Sequence, residues 1–361
     1  MNLINEKSHQ PVREMIAFRQ DGFSFFVLLE DGKAAEVLSQ KEQTEPVLNQ
    51  KDLVLGRVRR VLPALGGVFI DVGEEHDALL PFCEAPPNVK EGRPLIVQIR
   101  RQMPEHKGHQ VTTAIELVGP YAVFFPDRKP KQRSKLQNMP KNMKEPLYQR
   151  DLCRLSQIWS DLMEESSSGP VPRLLYAQGD PLHIALTAWV GPDLKRIRTD
   201  DASLYQAMEE KLKELMPEFR PLLRYERPDG DFGLAAILGL ATLTEDLKKR
   251  RVFLDNGGFI VIDRTEALTV IDVNSGCDIK GKSEADLRLR TNLLAAEEIA
   301  RQLRLRNIGG MVLIDFLRLK RKEDQQRIEE ALKNHFLRDR ARVKLYGFSQ
   351  MGLFELVRTA V

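Results

Sequence analysis

Thr269-Val270-Ile271-Asp272-Val273-Asn274 and Met311-Val312-Leu313-Ile314-Asp315-Phe316 are two short aliphatic runs, each reaching a carboxylate at its end. Both have the length and composition of strands. Phe259 to Asp263 precedes the first run and turns into it through Arg264-Thr265-Glu266, which predicts a hairpin. Between the two runs the pattern is helical. Ser283, with Asp286 three residues on, reads as an N-cap with an acidic partner, and the helix it opens extends to about Asn307, where Gly309-Gly310 stop it. After the second run, Ile328, Ala331, Leu332, His335 and Phe336 form the apolar stripe of an amphipathic helix. Strand, helix, strand, helix predicts a compact α/β unit in the last third of the chain.

Strand alternation puts Asp272 and Asn274 on one face, and neighbouring strands of one sheet bring Asp272 close to Asp315. Two adjacent carboxylates repel unless a cation lies between them. Oxygen ligands without His or Cys select a hard ion such as Mg²⁺. An Asp closing an apolar strand is also a common turn or cap residue, so both readings stand at this point. Ser275 and Cys277 sit nearby, but no base for a nucleophile is evident. His76, His106, His109, His183 and His335 offer no helical pair at metal spacing, and no Gly-rich phosphate loop occurs.

Upstream, Phe23 to Leu29 ahead of Asp31-Gly32 reads as a hairpin strand. Short apolar runs at 54–58, 67–73, 77–81, 95–99 and 111–115 suggest a small five-stranded barrel such as an OB fold. Phe69, with Arg57, Arg59, Arg60 and Lys107 around it, resembles a surface that stacks a base and tracks a nucleic-acid backbone, although Val68 and Ile70 on either side also fit a core Phe69. Residues 126–150 hold eight basic side chains against Asp127 and Glu145, together with four prolines. This +6 stretch is expected to be an exposed, non-helical connector, either simply solvated or in contact with RNA phosphates. Helical periodicity follows over 146–163, then strands at 173–176 and 183–187, and helices at 203–216 and 233–247.

The 361 residues are 42% apolar and 30% charged, which excludes a wholly disordered chain. Net charge is only +3, so a bulk basic field does not by itself make a nucleic-acid binder. No apolar stretch has the length of a membrane span and the first residues lack a signal-peptide pattern, so a soluble, cytoplasmic protein is expected. Cys83, Cys153 and Cys277 are far apart and form no Cys-x-x-Cys pair, which argues against disulfides and structural zinc.

The chain resembles the ribonuclease E/G family of bacterial endoribonucleases. The similarity is densest over Ile260–Gly276, which contains Ile262-Asp263-Arg264-Thr265-Glu266-Ala267 and Ile271-Asp272-Val273-Asn274-Ser275-Gly276. It continues through Thr291-Asn292-Leu293, Glu298 to Gly310, Ile314-Asp315-Phe316, Asp339-Arg340-Ala341-Arg342 and Gly347 to Leu353. A looser match spans Val54 to Gly119, including Phe69-Ile70-Asp71-Val72-Gly73.

The resemblance implies an α+β multidomain chain. Residues 1–48 and 169–249 would be two parts of a ribonuclease H-like scaffold, and 49–119 an inserted S1-type OB domain that binds RNA. Residues 120–168 would be a basic linker and helix in a reduced sensor region, and 250–361 a deoxyribonuclease I-like α/β catalytic unit. In the family, the acids matching Asp272 and Asp315 hold Mg²⁺, the Asn matching Asn274 orients the site, and the Arg matching Arg342 assists. Phe69 and Lys107 match RNA-contacting positions, and Arg57 is a further RNA-binding candidate.

The implied activity is cleavage of single-stranded RNA, either rRNA precursors or mRNA, leaving 5′-phosphate and 3′-hydroxyl ends. A non-catalytic RNA-binding factor is the main alternative, and an enzyme on DNA a weaker one. A second RNA-contacting aromatic of the family falls on Leu79. The Gly-Leu-Ile-Val-Arg-Thr stretch of the 5′-end sensor has no match between Gly119 and Pro146, so indifference to the RNA 5′ end is expected. No cysteine pair follows the catalytic unit within these residues, so an oligomer is expected not to be zinc-linked.

Overall fold

The computed structural model of the chain describes residues 11–42, 47–62, 64, 66–103, 107–227, 232–276 and 284–359. Cys277 and the expected N-cap Ser283 lie outside them. At the start, β1 (Arg13–Gln20), β2 (Phe23–Glu30) and β3 (Lys33–Lys41) are joined by two-residue turns. Asp21, Gly22, Asp31 and Gly32 all have positive φ, the conformation that tight hairpins need and that Asp-Gly pairs tolerate.

The next five strands are β4 (Leu53–Leu62), β5 (Gly67–Asp71), β6 (Ala78–Pro81), β7 (Pro94–Arg101) and β8 (Gln110–Thr112). They pair in the order β4-β5-β6-β8-β7, and β7 returns to β4, which closes an OB-like barrel. Alternate residues such as Val58, Val68, Ile70, Leu80, Val97 and Val111 fill its interior.

Strands β9 (Leu117–Val118), β10 (Ala122–Phe125) and β11 (Arg128–Gln132) then form a small sheet in the order β11-β10-β9. The expected non-helical connector is therefore ordered. Its second half belongs to α1 (Lys141–Glu165), which carries Pro146 in its second turn. Burial of Leu147, Leu155 and Leu162 on one face offsets the hydrogen bond that Pro146 cannot donate.

β12 (Arg173–Tyr176) pairs with β4 outside the closed ring. The expected strand at 183–187 is instead part of a helix, α2 (Pro181–Trp189). Asp180 caps it by accepting the amide of Leu182, and Pro181 occupies its first turn. β13 (Leu194–Thr199), α3 (Ala202–Leu215) and β14 (Leu223–Tyr225) follow, and the sheet order is β14-β13-β1-β2-β3. The single helix expected at 233–247 is two short ones, α4 (Leu234–Ile237) and α5 (Leu243–Asp246), separated by Gly239 at φ 66°.

The last part contains β15 (Arg251–Phe253), β16 (Phe259–Arg264), β17 (Leu268–Asn274), α6 (Glu284–Leu305), β18 (Gly310–Asp315), α7 (Lys322–Phe336), β19 (Val343–Phe348) and β20 (Phe354–Arg358). The six strands make one sheet, ordered β15-β16-β17-β18-β20-β19. β17 and β18 run parallel and the other pairings are antiparallel. A parallel pair needs a long crossover, and α6 lies in that crossover. Ile260, Ile262, Ile271, Val273, Val312 and Ile314 point to the side where α6 and α7 pack, with Ile299, Leu303, Ile328 and Leu332 against them. The strand residues between them point to the other side, which carries the exposed Val270, Asp272, Met311 and Asp315.

Contacts divide the chain into two units. One comprises described residues within 1–16, 27–37 and 227–361 and holds the six-stranded sheet. The other, within 17–26 and 38–226, holds the barrel. No helix among the described residues is long and apolar enough to cross a membrane.

Candidate active site and nucleic-acid interface

Asp272 on β17 is the register partner of Asp315 on β18, so their side chains leave the same face of adjacent strands. Neighbouring strands lie about 4.8 Å apart, within reach of one shared cation. Asn274, two residues along the same face, donates its Nδ2 to Asp272 Oδ2 at 2.8 Å. That bond fixes one carboxylate rotamer and turns the amide nitrogen towards the acid. Asp315 also borders a cleft of about 490 Å³ lined by Arg318, Gln325, Phe348 and Gln350 among others.

Among the described residues no three His, Cys, Asp or Glu side chains gather at one point. A metal here would therefore have two carboxylates as its charged protein ligands. That all-oxygen, low-count donor set fits Mg²⁺, which keeps most of its waters and takes the rest of its shell from substrate phosphate.

The acids are supported from α6. Asn292 is fully buried, donates its Nδ2 to the carbonyl of Leu317 at 2.8 Å, and accepts the amide of Leu317 at 3.0 Å. This two-point clamp sets the path of the chain two residues beyond Asp315. Its neighbour Thr291 accepts a bond from Asn256 Nδ2 at 2.8 Å, and Asn256 Oδ1 accepts the amide of Gly258. Gly258 directly precedes Phe259, the register partner of Asn274. One turn of α6 thus holds the segment after β18 and the segment before β16, the strand paired with β17. Sequence reasoning passed over this role, and its signal was the Thr291-Asn292-Leu293 string.

Arg342 is not brought to the acids. It directly precedes β19, where Val343 aligns with Arg358 and, through β20, with Gly310. The offset from Asp315 is five to six residues, about 17–20 Å along the strands, with β20 lying between β18 and β19. Arg342 is exposed at the opposite end of the sheet. Its neighbours in the Asp339-Arg340-Ala341-Arg342 string are structural: Asp339 binds Arg358 at 2.7 and 3.0 Å, and Arg340 binds Glu36.

On the barrel, Phe69 is half-buried while Val68 and Ile70 point inward, so its ring belongs to the outer face. Leu79 is its partner on β6, and Arg60 its partner on β4. Lys107 is exposed on the loop before β8, whose Gln110 pairs with Leu79. Phe69, Leu79, Arg60 and the Lys107 loop therefore adjoin. The Arg57 guanidinium donates to the carbonyls of Gly92 and Val171. Arg60 is exposed and in register with Phe69.

A family model described as "Ribonuclease E/G family" matches residues 138–361. The chain belongs to the ribonuclease E/G family. It is 30% identical over 347 residues to Ribonuclease E of Haemophilus influenzae, covering 84% of this chain and 37% of that protein. It is 26% identical over 379 residues to Ribonuclease G of Escherichia coli K12, covering 91% of this chain and 76% of that one. Ribonuclease G of Haemophilus influenzae matches at 26% identity over 378 residues. Asp272, Asn274, Asn292, Asp315 and Arg342 all fall within the stretch matched by the ribonuclease E/G model, whereas the barrel precedes it.

Proposed function

We propose that this ribonuclease E/G member is a Mg²⁺-dependent endoribonuclease acting on single-stranded RNA. The observation that carries the proposal is the cross-strand register of Asp272 with Asp315, with Asn274 bonded to the first acid. The two carboxylates would hold Mg²⁺, which supplies a polarised water and positive charge at the scissile phosphate. Asn274 keeps Asp272 in the ligating rotamer. Because the acids stand on an exposed sheet face, an extended strand of RNA can reach them without being unthreaded from an end, which suits internal cleavage. Attack by water at phosphorus with departure of O3′ gives a 5′-phosphate and a 3′-hydroxyl. Phe69, Leu79, Arg60 and Lys107 on the barrel's outer face would hold RNA by stacking and backbone charge.

The test is a labelled single-stranded RNA incubated with Mg²⁺, with chelator, and with the Asp272→Asn and Asp315→Asn proteins. Cleavage should require Mg²⁺ and fall at least a hundredfold in either variant while RNA affinity is kept, because backbone affinity is distributed over other residues. Equal cleavage by wild type and Asp315→Asn would refute the assignment. RNA binding by the wild type without cleavage under any divalent condition would identify a binding factor instead.

A further inference from the structure

The sheet face that carries the acids also carries aromatic rings on both sides of them. Phe259 is the register partner of Asn274, and Phe253 on β15 is the partner of Phe259, so both share the face of Asp272. Their rings meet edge to face at 6.2 Å, and the Arg251 guanidinium lies 4.5 Å from the Phe259 ring centre. Beyond β18 and β20, Lys344 is the partner of Val357, itself the partner of Met311, and so projects to the same side. The Lys344 ammonium sits 4.5 Å from the ring centre of Tyr346, two residues along. Tyr346 stands at a bulge with its ring beside Lys344 on this face, while Leu345 packs against the core.

Phe253 is 70% exposed and Tyr346 57% exposed, unusual for large rings in a sheet. Counting strands and residues, Phe259 lies about 8 Å from the acid row and Tyr346 about 13 Å from it on the opposite diagonal.

We infer that these two cation-capped rings are base-stacking platforms, Phe253 with Phe259 on one side of the scissile phosphate and Tyr346 on the other. Single-stranded nucleic acid is gripped by exposed aromatics beside backbone-neutralising cations, and both platforms have that composition. Duplex RNA does not suit them, since its bases are already stacked on one another. The acids between the rings place the sugar-phosphate chain, and the rings hold its splayed bases. This subsite assignment rests on the proposed RNA-cleaving role, but it is tested without turnover.

In chelator, affinity is measured for a fluorescent single-stranded RNA and for the same strand with abasic positions. The proteins compared are the wild type, Phe253→Leu, Tyr346→Leu and the double variant. Leucine keeps apolar bulk on exposed positions, so folding is preserved, and circular dichroism checks it. Each single variant should weaken binding of the normal strand about fivefold or more. The double variant should bind the abasic strand no worse than wild type does. A 2-aminopurine base in the strand should be quenched by wild type and not by the double variant.

Unchanged affinity and quenching in both variants would overturn the inference. So would a loss of self-association by light scattering with RNA affinity intact, because it would assign the face to a second copy of the chain. Failure of wild-type cleavage in Mg²⁺ alongside ring-dependent binding would strike the catalytic reading and leave the platforms standing.

Discussion

Asn292 holds both backbone groups of Leu317, two residues past Asp315. Replacing it with Ala leaves the part-buried amide and carbonyl of Leu317 without that partner, a cost of about 1 kcal/mol in stability. Support of this kind around a metal site is worth about 10- to 100-fold in affinity or activity. Asn292→Ala should therefore raise the Mg²⁺ concentration for half-maximal cleavage about tenfold, read from a metal titration of the initial rate. An unchanged titration with lowered stability would mean that the clamp serves folding alone. The residue scale is also where the sequence was least complete. Asp272 and Asp315 were readable because a carboxylate ending an apolar strand is visible in one dimension. Nothing in residue spacing shows a helix side chain gripping a loop 25 positions away. Arg57 and Arg60 are a similar case. The bulge between Val58 and Arg60 decides which arginine stands opposite Phe69, and a bulge is a property of pairing rather than of either strand alone.

α2 shows what alternation misses in an element. His183-Ile184-Ala185-Leu186-Thr187 is buried nearly all round, so it lacks a polar face whose period would separate helix from strand. The deciding signal was Asp180-Pro181, a cap followed by a first-turn proline, and it stood in the sequence unread. His183 packs edge-on to Tyr176, and its buried Nε2 has no hydrogen-bond partner among the described residues. Burial, reinforced by the Lys211 charge, pushes its pKa down from 6.5 to about 4. The unfolded chain then binds the extra proton first, so stability present above pH 6.5 is lost as pH falls towards 4. At pH 5 the loss is about 2 kcal/mol. Asp52, pushed up to about 6 by burial, acts in the opposite sense over the same range, because the folded state holds its proton more tightly. The diagnostic quantity is therefore the difference between proteins. Urea unfolding at pH 7.5 and pH 5 should show His183→Gln losing about 2 kcal/mol less than wild type. Equal losses would place the acid sensitivity elsewhere.

Across the molecule, the barrel and the β16–β17–β18 part of the α/β sheet were legible because each is built from locally patterned strands with clear turns, whereas β15, β19 and β20 were not. The basic stretch after the barrel is ordered as β11 and α1 rather than a loose connector, since prolines and like charges signal exposure but not whether the backbone is ordered. Arg133 and Lys135 bind the carbonyl of Thr187, and Arg150 pairs with Glu218. Lys129 and Lys131 line the fully exposed edge strand β11, where they would attract phosphate without fixing its geometry. Similar kcat/KM for 5′-monophosphate, 5′-hydroxyl and 5′-triphosphate forms of one oligonucleotide is therefore expected at fixed ionic strength. A tenfold preference for the monophosphate, about 1.4 kcal/mol, would reveal a preorganised end-binding pocket.

The parallel pairing of β17 with β18 has a consequence for synthesis. Asp272 gains its partner only after α6 has been made and folded back and β18 has docked beside β17. The barrel, by contrast, is complete at residue 112. On the roles proposed, a ribosome-bound chain acquires its grip on RNA long before it acquires a cutting centre. A product truncated before residue 315 would hold transcripts without harming them.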